Sequence, residues 1–381
     1  MEQGNNQESK KRFNVGLVGV GQGGSSIAQT VAKGLGIPYT SVVAINLSDA
    51  DLRAAALIPE SNRILLDKNR FGAGKNRDLS KSYVLEKKDF ILEKLGEIFK
   101  DKSINLILSF YSLDGGTGSG IGPYLTALLE SDMFEKFNGC LTFGLPLLPD
   151  QNAGKVGLEN AIKALKEISN LSKSKAGRFI LVDNNTSSEI KDDAARWRDI
   201  NNNVVKMLKR YLFTSYTSAS SNLDFEDRYV ALRVPGCHSF CTFNPNEAYP
   251  TPDSPFVLPE GARVDRMASE IPEGGSELRG KLASVIGCTI DEPNMVGYYE
   301  PDEVGAIPIV HLAGFSNLAK VTERYQGWFS EIKQRAEAAA KVDASKGAGF
   351  SSIDENDKWL ESQNETRTGM SAEDLFNLLG D

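Results

Sequence analysis

The chain has 381 residues, 40% of them hydrophobic and 25% charged, enough for roughly two domains with a sizeable core and inconsistent with global disorder. Its 43 Lys and Arg against 51 Asp and Glu give a formal net charge of −8, which argues against a chain-wide electrostatic grip on DNA. The polar start, Met1 to Arg12, has no apolar signal region and no apolar stretch reaches about 18 residues, so neither secretion nor a membrane span is expected, and a cytoplasmic protein is the simplest reading.

Residues 1–12 read as a disordered lead. Phe13–Val18 is a short apolar strand running into Gly19-Val20-Gly21-Gln22-Gly23-Gly24, and a helix is predicted from Ser25-Ser26, where a hydroxyl can cap free amides. Ser41–Asn46 and Asn105–Phe110 are further strands, the latter ahead of Asp114-Gly115-Gly116-Thr117-Gly118-Ser119-Gly120. Leu141–Leu145 and Arg178–Val182 add two more, with helical patterns at Lys88–Phe99 and Lys155–Ile168. Strands alternating with helices predict a mainly parallel sheet whose strand-end loops hold a ligand.

Asp192–Tyr211 reads as one long helix, with Trp197, Ile200, Val204, Val205, Leu208 and Leu212 at helical spacing. An acidic run, Asn222-Leu223-Asp224-Phe225-Glu226-Asp227, follows. Tyr229–Phe315 has β-rich ends, Val285–Ile290 and Ile307–Leu312, around a Pro- and Gly-rich middle. Gly327–Lys341 is helical, 347–368 a polar linker, and Met370–Asp381 an acidic end carrying Leu375, Phe376, Leu378 and Leu379. With four cysteines and two histidines, Cys237-His238-x-x-Cys241 is the one cluster to consider for a metal or redox site. Buried thiols are the commoner outcome of such spacing.

A glycine loop after a strand lets backbone amides approach phosphate oxygens, and a following helix start adds partial positive charge. Gly19-x-Gly21-x-Gly23-Gly24 alone would suit a dinucleotide, but the acidic residue expected about 20 residues on is poorly placed and Gly115–Gly120 would be left unexplained. Together with Gly72-Ala73-Gly74-Lys75-Asn76 these loops point to one nucleotide held from several strand ends. No Walker lysine follows a strand, so amides dominate, with Lys75 as a possible point charge.

On these motifs the chain resembles the tubulin/FtsZ superfamily, over roughly residues 13–320. Gly115-Gly116-Thr117-Gly118-Ser119-Gly120 is similar to its signature loop, which holds the phosphates of GTP. Asn222-Leu223-Asp224-x-x-Asp227 resembles the loop that completes the GTPase of the next subunit. Ala73, Gly74 and Lys75 fall in its γ-phosphate loop, Gly21, Gln22, Gly23 and Gly24 in its first phosphate loop, and Asn46 where it has an Asn ending the second strand. Asn184 resembles the residue that reads the guanine edge and Asn201 the base-contacting residue of the central helix. Asp114 departs from the pattern: it stands where many members have Gly, and either points away or helps hold magnesium. The sugar-contacting loop near Pro149-Asp150-Gln151-Asn152 is a poor match.

The resemblance implies an α/β tubulin/FtsZ-like fold: a GTP-binding parallel-sheet domain over 13–190, a central helix and connection over 191–221, the acidic loop with a C-terminal α+β domain over 222–320, a C-terminal helix over 321–346, and a linker and acidic tail over 347–381. It implies GTP and GDP as ligands, with Mg2+ held mainly by phosphates and water, and head-to-tail self-association. Among subfamilies the long C-terminal helix and acidic tail are most like the TubZ-type plasmid and phage segregation tubulins, which implies a DNA-binding adaptor at the tail and no direct nucleic-acid contact. About 15 residues of helix between Asn201 and the acidic loop span more than about 20 Å, so Asp224 and Asp227, with Asn222, are expected to serve a neighbour's nucleotide. A cell-division or non-polymerising tubulin-like GTPase and, from another class, a nicotinamide-dependent oxidoreductase are the alternatives.

Overall fold

The computed structural model describes residues 13–136, 139–186, 189–213, 225–271, 278–291, 295–298 and 309–345. The apolar runs of the first half become β1 (Val15–Val20), β2 (Val42–Asn46), β3 (Arg63–Leu65), β4 (Leu106–Ser112) and β5 (Leu141–Leu148). All but β3 are buried along almost their whole length, as strands covered on both faces must be. Between them run α1 (Gly21–Leu35), α2 (Asp49–Ala54), α3 (Arg77–Glu86), α4 (Lys88–Phe99) and α5 (Thr117–Lys136), and α6 (Gly154–Lys173) follows β5. The chain continues through β6 (Arg178–Ile180), β7 (Val182–Asp183), α7 (Asp193–Phe213), α8 (Phe225–Leu232), β8 (Gly236–Thr242), β9 (Arg263–Val264), β10 (Arg266–Ile271), α9 (Leu278–Ile286), β11 (Thr289–Ile290), β12 (Met295–Tyr298), β13 (Ile309–Phe315) and α10 (Ala319–Ser345).

One sheet links both halves, in the order β12-β10-β13-β8-β6-β5-β4-β1-β2-β3, with β7 also on β5. It is parallel from β3 to β8 and turns antiparallel at β8–β13 and β13–β10. Two cores cover its faces. One collects Leu17, Ile27 and Val31 with Ile200, Val204, Leu208 and Tyr211, and so lies under α1 and α7. The other collects Val18, Leu95, Ile121, Leu165, Leu282 and Tyr325, under α4, α5, α6, α9 and α10. Helices on both faces of a largely parallel sheet give the α/β class expected.

The second half differs from its hydrophobic pattern in one place. Val285–Ile290 is not a strand: Val285 and Ile286 end α9, which buries Leu278, Leu282 and Ile286 at helical spacing, and only Thr289–Ile290 pairs, with β9. α10 begins two residues before its expected start at 321 and is tied to the first domain, where Tyr325 OH donates to Pro149 O at 2.5 Å. No helix among the described residues is long and apolar enough to cross a membrane.

Candidate functional site

Because β1 to β5 run parallel, their C-terminal ends lie along one edge of the sheet, and three glycine loops meet there. β1 passes into α1 without a linker: Gly21, at φ +73°, takes a left-handed turn that favours glycine. The helix starts four residues earlier than the hydroxyl pattern predicts. Ser25 does not cap it, since its Oγ donates to Gly19 O at 3.4 Å, and the N-cap Val20 offers no side chain to the first amides. With Gln22 and Gly23 exposed and no acidic residue in the first turn, this helix start is an open, partly positive donor surface. A Cβ on Gly21 would lie 3.3 Å from Gly118 N, so the first loop sits directly against the loop after β4.

That second loop enters α5 at Thr117. Ser119 is buried and turns its hydroxyl back to Gly115 O, so it shapes the loop. Asp114 accepts from Ser112 Oγ. On the other side, a Cβ on Gly116 would come 2.7 Å from Ala73 Cβ, which brings in the Gly72–Asn76 loop. In that third loop Gly74 and Lys75 both adopt positive φ, at 56° and 61°, with the Lys75 side chain exposed.

Two buried residues outside the glycine motifs hold the loops together. Asn160 of α6 donates to Lys75 O at 2.9 Å and to Asp114 O and Gly115 O at 3.4 Å. Arg77, the first residue of α3, is 4% exposed, pairs with Glu167 of α6 and donates to Ser119 O at 3.1 Å. Neither has a local signature, because each is one polar residue on an otherwise amphipathic helix.

Asn46 is buried at the end of β2. Its Oδ1 accepts from the amides of Leu47 (2.8 Å) and Ser48 (3.2 Å), and its Nδ2 donates to Asp51 at 3.2 Å, so its amide organises the next loop. At the end of β7, Asn185 Nδ2 is engaged by Asp183 Oδ1 (2.9 Å), Pro149 O (3.3 Å) and Tyr325 OH (3.4 Å), whereas Asn184 stands half-buried beside it. Asp150, in the loop after β5, accepts from Arg196 of α7 at 2.8 Å. Asn201 is half-buried on α7. Trp197, one turn earlier on the same face, is not in the core as its spacing predicts: it is 49% exposed.

Of the acidic run, Asn222, Leu223 and Asp224 lie outside the described residues. Asp227 is in the first turn of α8, half-buried. Its helix sits at the opposite edge of the sheet. Tyr229 OH donates to Gly139 O, just before the N-terminal end of β5, and Phe225 packs on Phe13, just before β1, at 4.7 Å between centroids. β5 has 8 residues, about 26 Å of strand, so Asp227 and the glycine loops are separated by the depth of the sheet. α7 makes the same crossing: Gly34, near the far end of α1, packs on Val205, with a glycine Cβ only 2.4 Å from its Cγ1.

Cys237, His238 and Cys241 lie on β8, where alternation sends the two cysteines to one face and His238 to the other. They share no ligand direction, and burial pushes both thiols up to about 12, away from thiolate chemistry.

A parallel sheet with glycine loops along one edge and a helix crossing to the other is the architecture of the tubulin/FtsZ fold. The family model described as the Tubulin/FtsZ family GTPase domain matches residues 14–192. The chain is 28% identical over 220 residues to the tubulin-like protein CetZ of Methanothrix thermoacetophila, a match covering 54% of this chain and 57% of that one. It thus spans about half the length of the curated relatives it matches. In fold it is similar to Clostridium botulinum phage c-st TubZ, with a TM-score of 0.64, 17% identity, and 85% of this chain and 100% of that one covered. It is also similar to CetZ2 from Haloferax volcanii, a GTPγS-bound protofilament, with a TM-score of 0.60, 19% identity, and 85% and 100% covered.

Proposed function

We propose that this protein binds GTP at the glycine-loop edge, stacks head to tail, and hydrolyses the GTP at each junction with carboxylates of the next subunit. The observation that carries this reading is the placement of Asp227 at the sheet edge opposite the glycine loops. A two-fold dimer would set like edges together. Only a heterologous contact brings amides and carboxylates to one nucleotide, and such a contact repeats into a filament. The likeness to a protofilament-forming relative supports it.

The amides of Gly21–Gly24 and Gly115–Gly120 would hold the phosphates, with Ala73, Gly74 and Lys75 beside the terminal one. Asn184 and Asn201 would read the base, and exposed Trp197 is available to stack on it. Asp227 and Asp224 of the next subunit would orient the attacking water and Asn222 help place it. Among the described residues no three His, Cys, Asp or Glu side chains gather as a metal site. Magnesium here would take phosphate oxygens and water, with Asp114 the carboxylate beside the cradle, and when bound it supplies charge neutralisation.

The finer proposal is a TubZ-type role in positioning plasmid or phage DNA through an adaptor bound at the tail. It is supported by the likeness to phage c-st TubZ and by Leu375, Phe376, Leu378 and Leu379 on the acidic background of Met370–Asp381, which lie outside the described residues. Deleting Met370–Asp381 is expected to abolish adaptor binding while leaving GTP binding intact. The central test is GTPase rate against protein concentration, with electron microscopy of the same samples. The rate per subunit should rise above a threshold where filaments appear, and Asp224→Ala or Asp227→Ala should bind GTP and polymerise without turnover. A rate per subunit independent of concentration, with no filaments, refutes the proposal.

A further inference from the structure

The only two histidines of the chain, His238 and His311, lie within one fully buried hydrogen-bond chain. They stand on the paired strands β8 and β13, with His238 Nδ1 and His311 Nε2 2.8 Å apart. The outer contacts fix its polarity. His238 Nε2 is 2.7 Å from Val234 O, a carbonyl that can only accept, so Nε2 carries hydrogen and Nδ1 is the bare nitrogen. His311 must then donate from Nε2, leaving its Nδ1 to accept from Tyr211 OH at 2.8 Å. The order is Tyr211 to His311 to His238 to Val234, with both imidazoles neutral. Phe240 stacks on His311 at 4.4 Å and Phe143 meets His238 edge-on at 4.9 Å.

Apolar side chains would fill this volume without the cost of burying polar groups. What the chain adds is direction. Tyr211 belongs to the last turn of α7, and its hydroxyl ties that helix to β13 in the antiparallel half of the sheet. Its carbonyl, in turn, accepts from Arg228 Nη1 at 3.0 Å. Arg228 is 5% exposed and immediately follows Asp227, while Tyr229, one residue further, is fixed to Gly139 O. The turn that carries Asp227 is therefore held by α7, and α7 by the two histidines.

We infer that Tyr211, His311 and His238 are positioning residues for Asp227: they fix the end of α7 against the second half of the sheet, and through Arg228 they set where the carboxylate meets a neighbour's nucleotide. This inference rests on the junction-GTPase reading above.

The test compares Tyr211→Phe, His311→Leu and His311→Gln in the full chain. Glutamine restores both bonds, donating to His238 from its amide and accepting from Tyr211 at its oxygen. GTP affinity and GTPγS-driven polymer mass should stay near wild type in all three, because the glycine loops lie at the other edge. Hydrolysis per assembled subunit should fall about 10- to 100-fold in Tyr211→Phe and His311→Leu, the scale of a misplaced catalytic group, and recover in His311→Gln. Wild-type turnover per assembled subunit in Tyr211→Phe, whatever its melting temperature, overturns the inference, as does His311→Gln remaining as slow as His311→Leu. Should His311→Leu not fold, the other two variants decide alone. Failure of the junction reading itself is separate, since it would show as wild-type protein without concentration-dependent turnover.

Discussion

Gly115 and Gly116 are neighbours in sequence and opposites in environment, which makes them a direct test of the cradle. A Cβ on Gly115 would meet nothing within 4 Å, while one on Gly116 would come 2.7 Å from Ala73 Cβ and 2.9 Å from Asn76 N. Neither has the positive φ that would strain an alanine. Gly116→Ala therefore overpacks the contact between two loops and should cost about 1–3 kcal/mol of unfolding free energy. Gly115→Ala should leave the nucleotide-free protein as stable as wild type, or up to about 1 kcal/mol more stable through its stiffer unfolded chain. Its methyl group would, however, occupy the open space where a phosphate is expected. Displacing the phosphate from an amide loses a charge-assisted hydrogen bond of about 1.5–3 kcal/mol, so GTP should bind about 10- to 100-fold more weakly. Urea unfolding without nucleotide and titration with a fluorescent GTP analogue separate the two effects. Wild-type affinity in Gly115→Ala would refute the assignment of this loop to phosphate, and unchanged stability in Gly116→Ala would refute the packing of the loops on each other.

Trp197→Ala should leave stability within about 0.5 kcal/mol, since the ring is half exposed. It should weaken GTP binding by the roughly 1–3 kcal/mol that a base gains on an aromatic face, and equal affinity by calorimetry would remove Trp197 from the site. Acid should destabilise the fold through the buried histidines. Burial lowers His238 to about 3 and His311 well below its ordinary 6.5, so the unfolded chain takes up protons that the native state does not. The stability contribution is complete above pH 6.5 and lost as pH falls, by about 1.4 kcal/mol per histidine at pH 5.5. His311→Gln should reduce the loss between pH 7.5 and 5.5 in urea unfolding by that amount, and an identical loss would contradict neutral burial of His311.

The parallel half of the fold is legible because its signals are local: Val15–Val20 and Leu141–Leu148 are apolar runs bounded by glycine or polar residues, and a glycine cluster at a strand end has few other uses. The antiparallel half is not, because β9 and β11 are two-residue strands defined only by pairing with each other, and Val285–Ile290 looks β-branched while its neighbours Leu278 and Leu282 recruit it into a helix. Periodicity placed Trp197 in the stripe of α7 correctly but could not tell that the stripe runs past the core there. Asn184 and Asn185 are equivalent as letters, and only the contacts of Asn185 distinguish them. Arg77 and Asn160 were unreadable for a related reason: a polar residue on a helix is ordinarily solvated, and its burial between loops is decided by three distant segments at once.

The charge distribution bears on whether such subunits can stack. Residues 347–381 hold eight acidic and two basic side chains, so this terminal stretch accounts for −6 of the net −8. The remaining −2 is spread over 346 residues that contain both proposed contact edges. Charges are screened beyond about 8 Å at physiological ionic strength, so a nearly neutral body meets little repulsion from its copy. The excess acidity lies in the terminal stretch of the sequence, apart from the residues proposed for either side of the junction. A protein that concentrated −8 on its carboxylate edge would be repelled by a neighbour's phosphates. The described part of the acidic run there carries Glu226 and Asp227, followed by Arg228, which holds the Tyr211 carbonyl.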